Sequence, residues 1–262
     1  MTAAHPFLDH PGPIPFAHRG GAEVHPENTL VAFAAAVDLG YRYLETDVHV
    51  TADGVLIAFH DDRLDRVTDR RGVVAELPWA DVRTARVGGR EPIIRFEELL
   101  EAFPDARINV EPKHDAAVAP LVAAIRSRAS LDRVCVGSFS DHRLAEVRRA
   151  LGPEACTSLG TREVAALRLG AWGLGPFRDL LARRPGQCAQ VPRNWYGIPL
   201  VGPALIRTAH DLGLPVHVWT VNEPAEMTRL LDLGVDGLMS DRPAVLREVL
   251  LARGAWHSPE TG

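Results

Sequence analysis

Residues 215–250 read PVHVWTVNEPAEMTRLLDLGVDGLMSDRPAVLREVL. Pro215–Thr220 is a short apolar run of strand type, and Pro224–Leu233 follows it at helical spacing. Gly237–Ser240 and Pro243–Leu250 repeat the pair, with proline tolerated in the first helical turn at Pro243. The same alternation extends back to the start of the chain. Ile14–His18 predicts a strand, Asn28–Leu39 a helix stopped by Gly40, and Tyr43–Val50 a second strand. Val55–Phe59 follows a turn at Asp53-Gly54 and predicts a hairpin extension. Arg107–Glu111, Arg133–Gly137, Ala155–Leu159 and Gln187–Val191 are the next strands. Their helices are Val118–Ser127, His142–Ala150, Thr161–Leu169 and Pro203–Leu212.

Eight main strands, each followed by a helix, match the size of a closed (β/α)8 TIM barrel. A doubly wound open sheet is the structural competitor. Two stretches break the rhythm, His60–Phe96 after the second main strand and Gly170–Gly186 later. Both read as loops or small helical insertions inside a single domain, residues 1–262, with its core at about 12–251. In a barrel the first insertion lies on the C-terminal face, where catalytic loops gather.

The 262-residue chain has 34 acidic and 29 basic residues, 46% apolar and 24% charged content, an ordinary globular composition. Its net charge of -5 argues against bulk nucleic-acid binding but leaves room for one small phosphate pocket. The first 21 residues lack the basic and continuous apolar stretches of a signal peptide, and nothing reaches the length of a membrane span. The expected address is therefore the cytoplasm, with no stable membrane insertion. Cys135, Cys156 and Cys188 lack metal-site spacing and fall in strands, where small apolar packing explains them. Gly88-Gly89 lacks the strand–helix setting of a dinucleotide site, and no Walker sequence is present, so no nucleotide cofactor is expected.

Glu45 and Asp47 are alternate residues at the end of an apolar run, so both carboxylates face one side of the strand. Glu111 ends another run. Three carboxylates from two strand ends form a donor set for a hard cation, Mg2+ or Ca2+; pairing with surface bases or capping of the next turn is the alternative. His18-Arg19-Gly20 ends the first strand and His60-Asp61 ends the short run after Gly54. Two histidines from separate strand ends suit acid–base work near neutral pH. Arg19 can clamp an anionic oxygen, and Lys113, two positions after Glu111, can face the same pocket. Glycines at 20 and 21 would let the backbone approach a ligand closely. Of the 11 histidines, His5, His10, His25, His114, His142, His210 and His257 read as structural or exposed.

The segments FAHRGGAEVHPENTLVAF (16–33), YLETDVHVTADGVLIAFHD (43–61), INVEPK (108–113), VHVWTVNEP (216–224) and GVDGLMSDRP (234–243) together resemble the glycerophosphodiester phosphodiesterase family. They follow the family order and span nearly the whole chain. The resemblance implies a (β/α)8 barrel, metal ligands at Glu45, Asp47 and Glu111, acid–base histidines at His18 and His60, and phosphate contacts at Arg19 and Lys113. It also implies one divalent cation, a glycerol contact at Trp219, and cleavage of a small-molecule glycerophosphodiester to sn-glycerol 3-phosphate and an alcohol through a cyclic phosphate. Closure of the barrel top is the other reading of Trp219.

Around these positions, Asn28 or Thr29 can cap the first helix, and Glu27 can bond Arg19 or order the metal site. Gln190 can bond substrate or water, and Trp195 with Tyr196 can form an apolar wall for the alcohol. Asp241 is expected to cap the helix at Pro243. The rival functions are a related phospholipase D-like lyase that releases a cyclic phosphate from sphingomyelin or a lysophospholipid, and a noncatalytic barrel that binds a phosphate ligand. The oligomeric state is not legible in the sequence.

Overall fold

A computed structural model of the protein describes residues 5–182, 186–195 and 197–257. Its centre is a parallel sheet of eight strands: β1 (Ile14–His18), β2 (Tyr43–Val50), β3 (Arg107–Pro112), β4 (Val134–Val136), β5 (Cys156–Thr157), β6 (Ala189–Pro192), β7 (Val216–Trp219) and β8 (Gly237–Ser240). They neighbour one another in the order β5-β4-β3-β2-β1-β8-β7-β6. Helices Leu30–Asp38, Val118–Ser127, Asp141–Leu151, Thr161–Ala171, Pro203–Asp211, Pro224–Asp232 and Pro243–Ala252 alternate with the strands.

The expected closed barrel is not what forms. Among the described residues the ladder has two ends, β5 and β6, and no strand pairing joins them. A single isolated bridge, Ser158 with Cys188, spans this seam. Beside it, Leu159 N–H donates to the Cys188 carbonyl and Gln187 N–H to the Thr157 carbonyl, both at 2.8 Å. The physical reason is length. β5 has only two residues before the chain turns at Gly160 into the helix at Thr161, too few to carry a ladder on its second edge. The β2–β3 pair, by contrast, runs without a break from Tyr43↔Arg107 to Val48↔Pro112.

All eight residues of β2 are buried, as expected of a parallel strand covered on both faces. Most apolar side chains pack between sheet and helices. The inner face carries Phe16, Tyr43, Cys135, Cys156, Cys188 and Met239, joined by Phe7 and Leu8 from the N-terminal segment. Tyr43 donates its hydroxyl proton to the Phe7 carbonyl at 2.9 Å. The three cysteines are free, buried thiols, in keeping with packing.

The expected hairpin is present: Leu56–Ala58 runs antiparallel to β2, with Val48 opposite Ala58. The insertion after it contains a two-stranded ribbon, Arg86–Val87 with Glu91–Pro92. It also packs a small core of its own, including Phe59, Leu64, Val74, Val82 and Val87. Full burial of such a side chain is worth roughly 1.5–3 kcal/mol. Several together hold the insertion, and His60 at its start, in place. The sequence pattern did not reveal the helix Phe96–Ala102 that returns the chain to β3.

The first helix starts at Leu30, two residues later than expected. Asn28 has φ +58 and stands outside it. Thr29 is the cap: its Oγ1 accepts from Ala32 N–H at 3.3 Å and donates to the Pro26 carbonyl at 2.7 Å. Thr29→Ala is expected to cost about 1 kcal/mol of unfolding free energy, the usual value of such a cap. A urea melt with an unchanged slope and midpoint would contradict that.

Candidate active site

The C-terminal strand ends form the floor of a cavity of about 540 Å3. Strand register explains which side chains meet there. His18 pairs with Glu45 across β1–β2, and Glu45 with Asn109 and Asp47 with Glu111 across β2–β3. His18, Arg19, Glu45, Asp47, His60, Glu111, Lys113, Gln190 and Trp219 all line this cavity. The structure therefore brings these nine residues, each expected from the sequence, onto one cavity.

The charges interlock. Lys113 Nζ lies 2.9 Å from both Asp47 Oδ1 and Glu111 Oε2. Arg19 Nε approaches Asp47 Oδ2 to 3.1 Å, but at an angle that makes no hydrogen bond, so this buried oxygen has no hydrogen-bond partner among the described residues. The Arg19 backbone N–H donates to Glu45 Oε2 at 3.2 Å, and its Nη1 donates to Glu27 Oε1 at 3.1 Å. Glu27 thus bonds Arg19, one of the two roles open to it. Burial pushes the Glu45 carboxyl up to about 7, with Asp47 adding to the shift against the opposing pull of His18. Asn28 accepts from the Thr46 hydroxyl at 2.8 Å and so ties the PENT segment to the strand that carries both carboxylates.

Both histidines are held in the same way. His18 Nδ1 lies 2.6 Å from Asp241 Oδ1, and His60 Nδ1 lies 2.6 Å from Asp61 Oδ1. An ionised carboxylate only accepts, so Nδ1 is the donor in each pair. For His18 this leaves Nε2 on the side of Glu45, 3.7 Å from Oε2. Burial opposes charge on His18, but Glu45 and the bond to Asp241 outweigh it and raise its pKa above the usual imidazole value.

Asp241 is the residue whose role was misread. It does not cap the helix at Pro243; Arg242 occupies that position, without a side-chain cap. Asp241 instead accepts from His18 and from Asn222 Nδ2 at 2.8 Å. Burial works against its charge, yet those hydrogen bonds keep its pKa below the ordinary carboxylate value. Only the SDRP motif itself, at a strand end, signalled this role. The glycines after His18 pack closely against two helices: a Cβ on Gly20 would lie 2.8 Å from the Ala32 Cβ, and one on Gly21 2.6 Å from Pro243 Cγ.

The opposite wall of the cavity is apolar, with Leu159, Val164, Leu169 and Leu200. Phe139 stands edge-on to Trp219 at 5.2 Å, and Trp195 lies at the rim, 42% exposed. Tyr196 lies outside the described residues. Gln190 donates to Asn109 Oδ1 at 2.7 Å across the interior.

As the side chains stand, no three His, Cys, Asp or Glu residues among the described ones are gathered closely enough to hold a metal ion. The chemistry of the donors nevertheless suits a hard cation. Three carboxylates crowd two strand ends, one buried oxygen of Asp47 lacks a hydrogen-bond partner, and an ammonium group already sits between Asp47 and Glu111.

A family model described as the glycerophosphoryl diester phosphodiesterase family matches residues 18–245. The chain belongs to this family. Membership makes it a phosphoric diester hydrolase. A protein named probable glycerophosphodiester phosphodiesterase 2 from Mycobacterium tuberculosis is 40% identical over 259 residues, 95% of each chain. A glycerophosphodiester phosphodiesterase from Caldanaerobacter subterraneus is 29% identical over 250 residues, 88% of this chain and 94% of the relative. Among solved structures, a putative glycerophosphoryl diester phosphodiesterase from Silicibacter pomeroyi superimposes with a TM-score of 0.77 at 28% identity, over 95% of this chain and 97% of the other. Among the described residues, no helix is long and apolar enough to cross a membrane.

Proposed function

We propose that the enzyme hydrolyses glycerophosphodiesters to sn-glycerol 3-phosphate and an alcohol, with a divalent cation, in two steps through a cyclic phosphate. The observation that carries this reading is the pair of Nδ1-anchored imidazoles, His18–Asp241 and His60–Asp61, on one cavity with three carboxylates. Glu45, Asp47 and Glu111 would hold the cation. When bound, such an ion acidifies a hydroxyl and offsets charge developing on phosphate.

The chain's own residues do the rest. Arg19 and Lys113 draw the phosphate to the floor of the cavity. His18 takes the proton of the glycerol hydroxyl beside the phosphate as its oxygen forms a bond to phosphorus. The bond from phosphorus to the alcohol breaks, and His60 gives the departing oxygen its proton. In the second step His60, now neutral, takes a proton from water as the water oxygen attacks phosphorus. The ring oxygen leaves with the proton stored on His18. One water is consumed, and both histidines return to their starting forms.

The test compares glycerophosphocholine, glycerophosphoethanolamine and glycerophosphoglycerol with a deoxy substrate lacking the adjacent hydroxyl, with products identified by mass spectrometry. The three natural types of substrate are expected to be cleaved, since Trp195 and Trp219 offer broad apolar and cation–π contact to the alcohol. The deoxy compound is expected to lose orders of magnitude in rate, because intramolecular attack carries effective molarities of about 10⁵–10⁸ M. Efficient hydrolysis of the deoxy compound at the same bond defeats the intramolecular step. A cyclic phosphate as sole product moves the assignment to the lyase.

A further inference from the structure

We infer that Arg66 is a positioning residue for this reaction: its guanidinium clamps Asp61 against His60 and so selects the nitrogen that His60 turns to the substrate. The inference rests on the reading of His60 as the proton donor to the leaving alcohol.

Arg66 lies in the insertion after β2. Its Nε donates to Asp61 Oδ2 at 2.6 Å and its Nη2 to Asp61 Oδ1 at 2.9 Å, a two-pronged grip on one carboxylate. The same side chain grips Glu27, through Nη1 at 3.0 Å and Nη2 at 2.8 Å. Glu27 in turn holds Arg19, and Arg19 reaches Asp47. A file of alternating charge thus runs from the strand that carries the carboxylates to His60: Asp47, Arg19, Glu27, Arg66, Asp61.

Stability does not explain this arrangement. The Arg66 side chain is 49% exposed, and exposed ion pairs contribute only about 0–1 kcal/mol. Its effect is directional. Asp61 adjoins His60 in sequence, on a loop, and without a second anchor its carboxylate turns freely about its own bonds. With both oxygens gripped by a planar fork, Oδ1 stays where it accepts Nδ1–H of His60. Nε2 is then the nitrogen left to pass protons. The hydrogen bonds from Arg66 also hold the Asp61 carboxyl well below the usual carboxylate range, so the acceptor stays charged. Lysine, a single compact ammonium, cannot reproduce the fork.

The experiment uses the full chain with Mg2+ present. Arg66→Met, Arg66→Lys and a control, Arg63→Met, whose side chain pairs with exposed Asp65 at 3.4 Å, are assayed on glycerophosphocholine. The tautomer of His60 is read by ¹⁵N NMR of its ring at a pH high enough to make the ring neutral. Arg66→Met is expected to lower kcat about 10–100-fold, the range seen when a partner that orients a working side chain is lost. KM is expected to stay within about twofold, because Arg66 is not among the residues that line the cavity. His60 is expected to pass from one Nδ1–H tautomer to a mixture. Arg66→Lys should restore part of both, and Arg63→Met should match the parent. If Arg66→Met fails to fold, Arg66→Lys carries the same readouts.

Parent kcat with an unaltered His60 tautomer overturns the inference. So does a lower kcat with His60 still a single Nδ1–H form, because the loss then does not pass through His60. Parent turnover in His60→Ala overturns the reading beneath it instead, which separates the two failures.

Discussion

Alanine at His18 or at His60 is expected to leave the sheet folded and to lower kcat about 10²–10⁴-fold, the usual worth of a placed acid or base. Each ring reaches the cavity from the end of a strand and is anchored through Nδ1 by a carboxylate. Removing either ring leaves Arg19 and Lys113, the proposed phosphate contacts, in place, so KM is expected to move far less than kcat. Loss of His18 also costs Asp241 one charge-assisted hydrogen bond, about 1–3 kcal/mol. That is affordable against the 5–15 kcal/mol typical of a folded protein, and Asn222 still holds the other oxygen. Circular dichroism and a urea melt establish folding before the rates are compared. Near-parent kcat in both folded variants rejects the acid–base pair.

Stripping divalent cations is expected to abolish turnover, and Mg2+ or Ca2+ to restore it. Asp47→Asn is expected to raise the cation concentration required more than Glu111→Gln does. Asp47 is 2% exposed, and one of its oxygens has no hydrogen-bond partner among the described residues, whereas the side chain of Glu111 is 18% exposed. Binding can also be read without an assay. A cation at 100 times its Kd stabilises the folded state by about 2.7 kcal/mol, which appears as a rise in Tm that the carboxylate variants should lose. A crystal with the ion in place would show oxygen distances of about 2.0–2.6 Å. Unchanged turnover after chelation, with no dependence of cation titrations on the three carboxylates, would remove the metal from the scheme.

Much of this was legible because apolar periodicity records burial. β1, β2 and β8 lie within the residues expected from sequence, as does the helix Val118–Ser127. Glu45 and Asp47 stood out because strand alternation alone puts them on one face. The missed features depend on distance in space. Asp241 looked like a cap because sequence shows its proline neighbour and not His18, 223 residues away. Arg66 was hidden for the same reason: its two partners, Glu27 and Asp61, come together only when the insertion folds onto the first turn after β1. Closure of the sheet was misjudged because eight strand starts say nothing about how long each strand will be. β5 was expected to span Ala155–Leu159 and carries only Cys156–Thr157.

The seam beside β5 gives the cavity two walls of unequal strand pairing. The carboxylates stand on the long β2–β3 ladder, while Ser158, whose single bridge closes the seam, lines the opposite side among the apolar residues. The candidate metal ligands are thus mounted on the longest unbroken ladder of the sheet, while the wall facing them is joined across the seam by one bridge and two flanking hydrogen bonds.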